Sequence, residues 1–279
     1  MTTQLQEMRR DVDDRQTRYW DEEQKRSAGK RVILVEGDDD RTALEAMLTE
    51  ADVAWSTRVA VVVAGRRDSV MRRLAPTSTF PVGIGLVDRD VWSDTEVAAQ
   101  TASGQVYVTA GWCIENDLLV ARLAADPPTL DADMEPRREA WVRAGALWWT
   151  LQRTRDAFNA WQEALHWNYG ALRPDLDLTS PAALTASLEA RIPAPLREAA
   201  RLDLAEIGAA YQARVDEVLA LPPATQWMRG VRGKSAFAAA LVPLLNAGHR
   251  SRSAREWLIA RAGALRHRAP FDAILARAL

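Results

Sequence analysis

The sequence has few of the residues from which disulfide frameworks and zinc sites are built. It contains one cysteine, Cys113, and three histidines in 279 residues. One cysteine can form neither an intrachain disulfide nor a cysteine-rich zinc site. Arg, Asp or Glu interrupts every apolar run before it reaches the roughly 18–20 residues that span a bilayer, and the first thirty residues lack the apolar core of a signal peptide. The sequence therefore predicts a cytoplasmic protein with no membrane partner.

Charge is balanced over the whole chain but not along it. Lys and Arg number 36 against 38 Asp and Glu, which gives a formal net charge of −2. From Gln226 onward, however, ten basic residues are opposed only by Glu256 and Asp272. Nine of the ten are arginine, whose planar guanidinium suits phosphate. This basic region indicates either contact with nucleic acid or solvated faces of C-terminal helices, and composition alone favours neither.

Short aliphatic runs alternate with helical patterns over the first 125 residues. We predict strands at Arg31 to Val35, Val59 to Val63, Val82 to Val87 and Gln105 to Thr109, and helices at about 4–28, 40–50, 67–75 and 94–100. This alternation is typical of a parallel sheet with helices on both faces. Later residues have only helical patterns. The predicted organisation is an N-terminal helix (1–29), an α/β domain (30–125) and an all-helical domain (126–279) with a basic C-terminal part.

Carboxylates follow the first and third predicted strands. Glu36 comes directly after Val35, and Asp88 and Asp90 come after Val87. Because the carboxyl ends of parallel strands meet at one edge of a sheet, where ligands bind, we expect these side chains to converge. Neither segment contains His or Cys, which argues against zinc. An oxygen-only cluster suits Mg²⁺ or Mn²⁺.

These segments resemble the motifs of a known family. Val35 to Asp40 is similar to the first toprim motif, a strand ending in Glu-Gly with a further Asp three residues past the Gly, and Val87 to Asp90 is similar to the second, Asp-x-Asp. Ile114 to Leu119 resembles a segment of an uncharacterised bacterial toprim-like family, the overcoming-lysogenization-defect-type nucleases. A weaker likeness lies at Gly233-Lys234, where that family tends to carry Gly-Lys. Its members are associated with phage defence, and some are encoded beside an ABC-type ATPase.

The resemblance implies a compact Rossmann-like toprim domain that hydrolyses phosphodiester bonds of DNA or RNA with Mg²⁺ or Mn²⁺. It implies that Glu36, Asp88 and Asp90 hold the metal, and Glu36 is also a candidate general acid or base. Asp40 and Glu115 are further candidate ligands. Cationic side chains of the helical region would bind the phosphates of the substrate: Lys234, Arg232, Arg252 and Arg255. No tyrosine is identifiable as a topoisomerase nucleophile, and a single cysteine cannot build a primase zinc module, so nuclease is the expected activity.

Structural roles compete with several of these assignments. Acidic residues favour helix starts, and we assign Asp38 and Asp39 to that role. The same role is open to Asp40, and Glu115 could simply occupy the first turn of a helix. Arg89 could be the counter-charge of the two carboxylates that flank it.

Two other functions also fit the sequence. The acidic edge could hold a metal or a nucleotide in a non-catalytic module that regulates a partner ATPase. The same chemistry would serve a nucleotide phosphohydrolase, although the basic region favours a polymeric substrate. The sequence leaves open whether the protein forms homo-oligomers.

Overall fold

A computed structural model describes residues 18–75, 83–123, 126–153, 176–199, 202–248 and 251–279. Its four strands are β1 (Arg31–Val35), β2 (Val59–Val63), β3 (Ile84–Val87) and β4 (Val106–Val108). They form one sheet in the order β2-β1-β3-β4, and every neighbouring pair is parallel. The prediction of a parallel α/β sheet is therefore confirmed.

Helices cover both faces of this sheet. The helices that follow the strands are α2 (Asp38–Ala51), α3 (Arg67–Leu74), α4 (Asp94–Thr101) and α5 (Ile114–Val120), and residues 18–26 form α1 before β1. Side chains of β1 alternate between two apolar clusters: Val32 packs with Trp20 of α1 and Val70 of α3, whereas Ile33 packs with Leu44 of α2. Both faces of β1 are thus buried, as its uninterrupted apolar run predicts.

The observed boundaries differ from the predicted ones mainly at the ends of elements. β1 and β2 have the predicted limits, whereas β4 is two residues shorter than predicted. β3 begins at Ile84, and the predicted start at Val82 lies outside the described residues, as does the predicted helix before residue 18. α2 begins two residues early because Gly37, in extended conformation, is already its N-cap.

The described residues after 125 contain helices and no strand. These helices are α6 (Leu130–Arg153), α7 (Pro181–Arg191), α8 (Ala194–Ala199), α9 (Leu204–Leu219), α10 (Pro223–Arg229), α11 (Gly233–Ala236), α12 (Val242–Gly248), α13 (Ala254–Ala262) and α14 (Phe271–Ala278). A π-helical segment, Phe237–Leu241, joins α11 to α12. Across the described ranges, each helix is too short or too polar to cross a lipid bilayer.

The helical part packs directly on the α2 face of the sheet. One apolar cluster contains Ile33 and Leu44 together with Trp227, Phe237 and Leu265, so it extends across the predicted domain boundary at residue 125. α13 lies against α2, and α10 and α11 lie against α5. This packing brings the start of α11 to the carboxyl ends of the strands.

A buried carboxylate of α5 gives the fold a testable pH dependence. Asp117 is 1% exposed, and its Oδ2 accepts no hydrogen bond from any described residue. Burial raises the pKa of Asp117 to about 7, against the weaker opposing attraction of Arg268. A carboxyl whose pKa is higher in the folded than in the unfolded state destabilises the fold increasingly as pH rises between the two values.

We expect Asp117→Asn to stabilise the protein more at pH 8 than at pH 5, by at least about 1 kcal/mol. Urea denaturation at the two pH values measures this difference. An equal effect at both would contradict the assignment of a raised pKa to Asp117.

Candidate functional site

The candidate site lies where β1 and β3 end side by side. The chain leaves β1 into α2 on one face of the sheet and leaves β3 toward α4 on the other, an arrangement that opens a crevice at the carboxyl ends of the strands. Glu36 follows β1 and Asp88 follows β3. The Asp88 N–H donates to Glu36 Oε1 at 2.9 Å, so the structure brings these two predicted site residues together.

Two further carboxylates reach this crevice from the first turns of helices. Asp40 of α2 is 3% exposed, and its Oδ2 accepts the Gly37 N–H at 2.9 Å. Asp40 thus caps the N-terminus of α2, whereas Asp38 and Asp39 are exposed in the same turn. Glu115, in the first turn of α5, is 4% exposed. The charges of Asp40 and Glu115 both raise the pKa of Asp88, as expected for neighbouring carboxylates.

Two cationic side chains lie among these carboxylates. Lys234, at the start of α11, has its Nζ 3.7 Å from Asp88 Oδ2. Arg67, at the start of α3, forms an ion pair with Asp90, and its Nε is 3.8 Å from Glu36 Oε1. The Arg67 guanidinium also stacks on Trp92, 4.3 Å from the ring centre. Two cations therefore face a larger number of carboxylates: Glu36, Asp40, Asp88, Asp90 and Glu115.

Burial makes this excess of negative charge unfavourable. Desolvation raises the pKa of Glu36 to about 7 and is the largest contribution to the raised pKa values of Asp40, Asp88 and Glu115. Within the part of the chain that the structure describes, three buried oxygens of these carboxylates have no hydrogen-bond donor: Asp40 Oδ1, Asp88 Oδ1 and Glu115 Oε2. Buried carboxylate oxygens without partners are costly, so they call for a cation or a proton.

The arrangement of Asp88, Arg89 and Asp90 differs from the sequence expectation. Asp90 has a left-handed backbone conformation with φ of 47°, and its N–H donates to Trp112 O at 2.9 Å. The two carboxylates do not converge on one partner: Asp88 lies beside Lys234, and Asp90 pairs with Arg67. Arg89 contacts neither of them. Its guanidinium pairs with Asp94 at 2.6 Å, so its predicted role as their counter-charge is wrong.

The donor set of the crevice fits a hard divalent cation, although no ligand set is preassembled. Among the described residues, no three His, Cys, Asp or Glu side chains are arranged to hold one ion together. Glu36 and Asp90 are instead turned toward Arg67. The three oxygens without donors are nevertheless all carboxylate oxygens, the type that Mg²⁺ and Mn²⁺ prefer. The metal role of Glu36, Asp88 and Asp90 stays a prediction. Because Asp40 and Glu115 also carry an unpartnered oxygen, they are candidate metal ligands as much as Asp88 is.

Asn116 holds α11 in position beside the carboxylates. Its Nδ2 donates to Trp227 O at 2.7 Å and Val231 O at 2.8 Å, and its Oδ1 accepts the Cys113 N–H at 3.2 Å. A Cβ on Gly233 would lie 2.3 Å from Asn116 Oδ1, so the close approach of α11 to α5 requires glycine there. The Gly-Lys pair thus has a geometric reason: Gly233 permits the contact, and Lys234 extends from it to Asp88.

The predicted phosphate-binding arginines have different surroundings. The Arg232 guanidinium lies 4.3 Å from the Trp148 ring centre. Burial raises the pKa of Asp90, and the Arg232 charge is among those that oppose this rise, so Arg232 is near the crevice. Arg255 is exposed and donates to Thr42 Oγ1 at 3.3 Å, one half-turn beyond Asp40 on α2. Arg252 is exposed with its guanidinium 4.9 Å from the Trp257 ring centre. Their binding of phosphate stays a prediction.

Much of the basic C-terminal region has structural partners. Arg261 is fully buried, pairs with Asp126 and donates to Leu118 O at 3.2 Å, so it cannot contact substrate. Three other arginines of the region have partners in distant elements: Arg229 with Asp94, Arg266 with Glu50 and Arg277 with the carbonyl of Gly104. These arginines therefore form tertiary contacts within the protein.

Arg67 is the site residue that the sequence analysis missed. It follows β2 by four residues, with Gly65 between, at the same edge of the sheet as Glu36 and Asp88. Because the carboxyl end of every parallel strand reaches this edge, the position of Arg67 after a predicted strand was an available signal.

A scan against protein-family models finds no match for this chain, and a search of the curated proteins finds none either. The likeness to toprim proteins therefore depends on the motifs described above.

Proposed function

We propose that this protein is a Mg²⁺- or Mn²⁺-dependent nuclease of the toprim kind that hydrolyses phosphodiester bonds in DNA or RNA. The observation that carries the proposal is the group of three buried carboxylate oxygens without donors, on Asp40, Asp88 and Glu115, at the carboxyl ends of β1 and β3. A divalent cation held by such oxygens would offset both their mutual repulsion and the cost of burying their charge. The toprim resemblance of the segments that carry these residues supplies the choice of phosphoryl chemistry.

In this proposal, Asp88 holds the metal together with Asp40, Glu115 or Glu36. A bound divalent ion would polarise the scissile phosphate and activate water for attack. Where Glu36 is not itself a ligand, it is suited to accept a proton from that water, because burial raises its pKa to about 7 and makes it a stronger base than an ordinary carboxylate. Arg67, itself paired with Asp90, and the Asp88 N–H hold Glu36 in place.

Phosphates of the polymer would meet cationic side chains around the crevice. Lys234 is the nearest, since its Nζ already lies among the carboxylates, and Arg232 lies close enough to Asp90 for its charge to act on that carboxylate. Arg255 contacts Thr42 of α2 and is a more distant candidate. Phosphate contacts of this kind position a nucleic acid without reading its sequence. The proposal includes a cytoplasmic role in defence against phage beside a partner ATPase, which the resemblance alone supports.

Incubation of the purified protein with plasmid, single-stranded DNA and tRNA tests the proposal. We expect cleavage of at least one polymer with Mg²⁺ or Mn²⁺ and none with EDTA. Cleavage that persists in EDTA, or no cleavage of any polymer with either metal or an added partner ATPase, would contradict it.

One observation favours a second candidate, a non-catalytic metal- or nucleotide-binding partner of an ATPase. Arg67 and Lys234 already pair with Asp90 and Asp88, so part of the acidic charge is neutralised from within. A protein that binds Mn²⁺ at this crevice and cleaves no polymer would fit this second candidate.

A further inference from the structure

The Lys234 ammonium lies beside the buried carboxylates of the crevice to which a divalent ion would bind. Its Nζ is 3.7 Å from Asp88 Oδ2. Burial alone would lower the pKa of Lys234, but the charges of Asp88, Glu115 and Asp40 outweigh burial and raise it. The ammonium group therefore interacts with the same three carboxylates that have an oxygen without a donor.

A single ammonium does not satisfy these carboxylates. The Lys234 Nζ is beyond hydrogen-bond distance of Asp88, and the Asp40, Asp88 and Glu115 oxygens still lack donors. The side chain is also 48% exposed, so it can swing toward solvent without disturbing buried packing. α11 itself is fixed by Asn116 and Gly233, which confines any movement to the lysine side chain.

We propose that Lys234 is an internal counter-ion that competes with the divalent metal for Asp88, Asp40 and Glu115 and is displaced when the metal binds. The inference rests on the proposed function, because it assumes that the crevice binds a divalent ion. Competition between two cations for the same carboxylates means that removing one tightens binding of the other. Lys234 would thereby set the metal concentration at which the site fills and would turn its ammonium toward the substrate phosphate once displaced.

Calorimetric titration with Mn²⁺ tests the competition. We expect Lys234→Met to bind Mn²⁺ about tenfold more tightly than the wild type, or tighter still, because the ammonium that lies 3.7 Å from Asp88 Oδ2 and competes with the metal is removed. Lys25→Met, at an exposed lysine of α1, is the matched control and should leave Mn²⁺ affinity unchanged. Lys234→Met should at the same time cleave the polymer more slowly than the wild type.

Amine labelling of the wild-type protein gives a second measurement that does not depend on a variant folding. The chain has three lysines, so Lys25 and Lys30 serve as internal references for Lys234. We expect saturating Mn²⁺ to raise the labelling rate of Lys234 relative to both, as followed by mass spectrometry.

The outcomes separate this inference from the proposed function. Suppose that the wild type binds Mn²⁺ and cleaves. The competition alone would then be overturned if Lys234→Met bound Mn²⁺ equally or more weakly, or if Mn²⁺ did not change the labelling of Lys234. No Mn²⁺ binding by either protein would overturn the proposed metal site and, with it, this inference.

Discussion

Asp88→Asn is expected to lower metal-dependent cleavage by at least about 1,000-fold, because a bound metal contributes several kcal/mol to the stabilisation of the transition state. Asp88 contacts several parts of the site: its N–H donates to Glu36, its Oδ2 lies 3.7 Å from Lys234 Nζ, and its Oδ1 has no donor among the described residues. Asparagine has nearly the same shape and removes a buried charge whose ionisation is unfavourable. The fold should therefore persist, as a thermal melt would check.

Asp39→Asn is the matched control for this loss. Asp39 belongs to the same acidic run as Asp40 but is exposed, so we expect its cleavage rate to stay within about threefold of wild type, a change of less than about 1 kcal/mol. Equal losses of cleavage rate in the two variants would mean that the total negative charge at this edge of the sheet matters, and that Asp88 has no specific role in binding the metal. Full activity of Asp88→Asn would remove Asp88 from the metal site.

Arg261→Met is expected to destabilise the fold by about 3–5 kcal/mol, because it removes the closer of the two cations beside the buried Asp126 carboxylate and the donor to the Leu118 and Ala121 carbonyls. Arg261 is fully buried, and the Asp126 side chain with which it pairs is 5% exposed. The same guanidinium donates to the Leu118 carbonyl at the end of α5, so the pair joins α13 to the helix that carries Glu115. Urea denaturation measures the change in the free energy of unfolding.

Arg266→Met provides the comparison, since the Arg266–Glu50 pair is exposed and surface ion pairs contribute about 0–1 kcal/mol. If both variants lost the same small amount, the buried pair would have no special structural role. A large loss confined to Arg261 would confirm that the basic C-terminal region is in part a set of tertiary contacts.

The sheet was predictable because burial on two sides leaves a clear sequence pattern. β1 and β2 are apolar throughout their central positions, and their limits agree with the prediction. β4 was harder because it has only three residues and the middle one, Tyr107, is only partly buried. How the helical part packs on α2 could not be predicted, since its contacts join residues far apart in the chain, such as Arg261 and Asp126.

The sequence predicts those site residues whose positions depend only on where the strands end. Glu36 and Asp88 converge because β1 and β3 are parallel neighbours. The partners of the carboxylates were not predictable, since the left-handed turn at Asp90 decides which way each side chain points, and Arg67 and Lys234 arrive from elsewhere in the chain. The sequence analysis therefore named Lys234 only as a phosphate contact and missed Arg67.

Anomalous diffraction from a crystal grown with Mn²⁺ would test the central claim most directly. We expect a peak bonded to a carboxylate oxygen of Asp88 and to at least one of Asp40, Glu115 and Glu36, with Lys234 Nζ farther from Asp88 than its present 3.7 Å. A fully ordered crevice with no peak at saturating Mn²⁺, or a peak only at carboxylates elsewhere on the surface, would contradict the account.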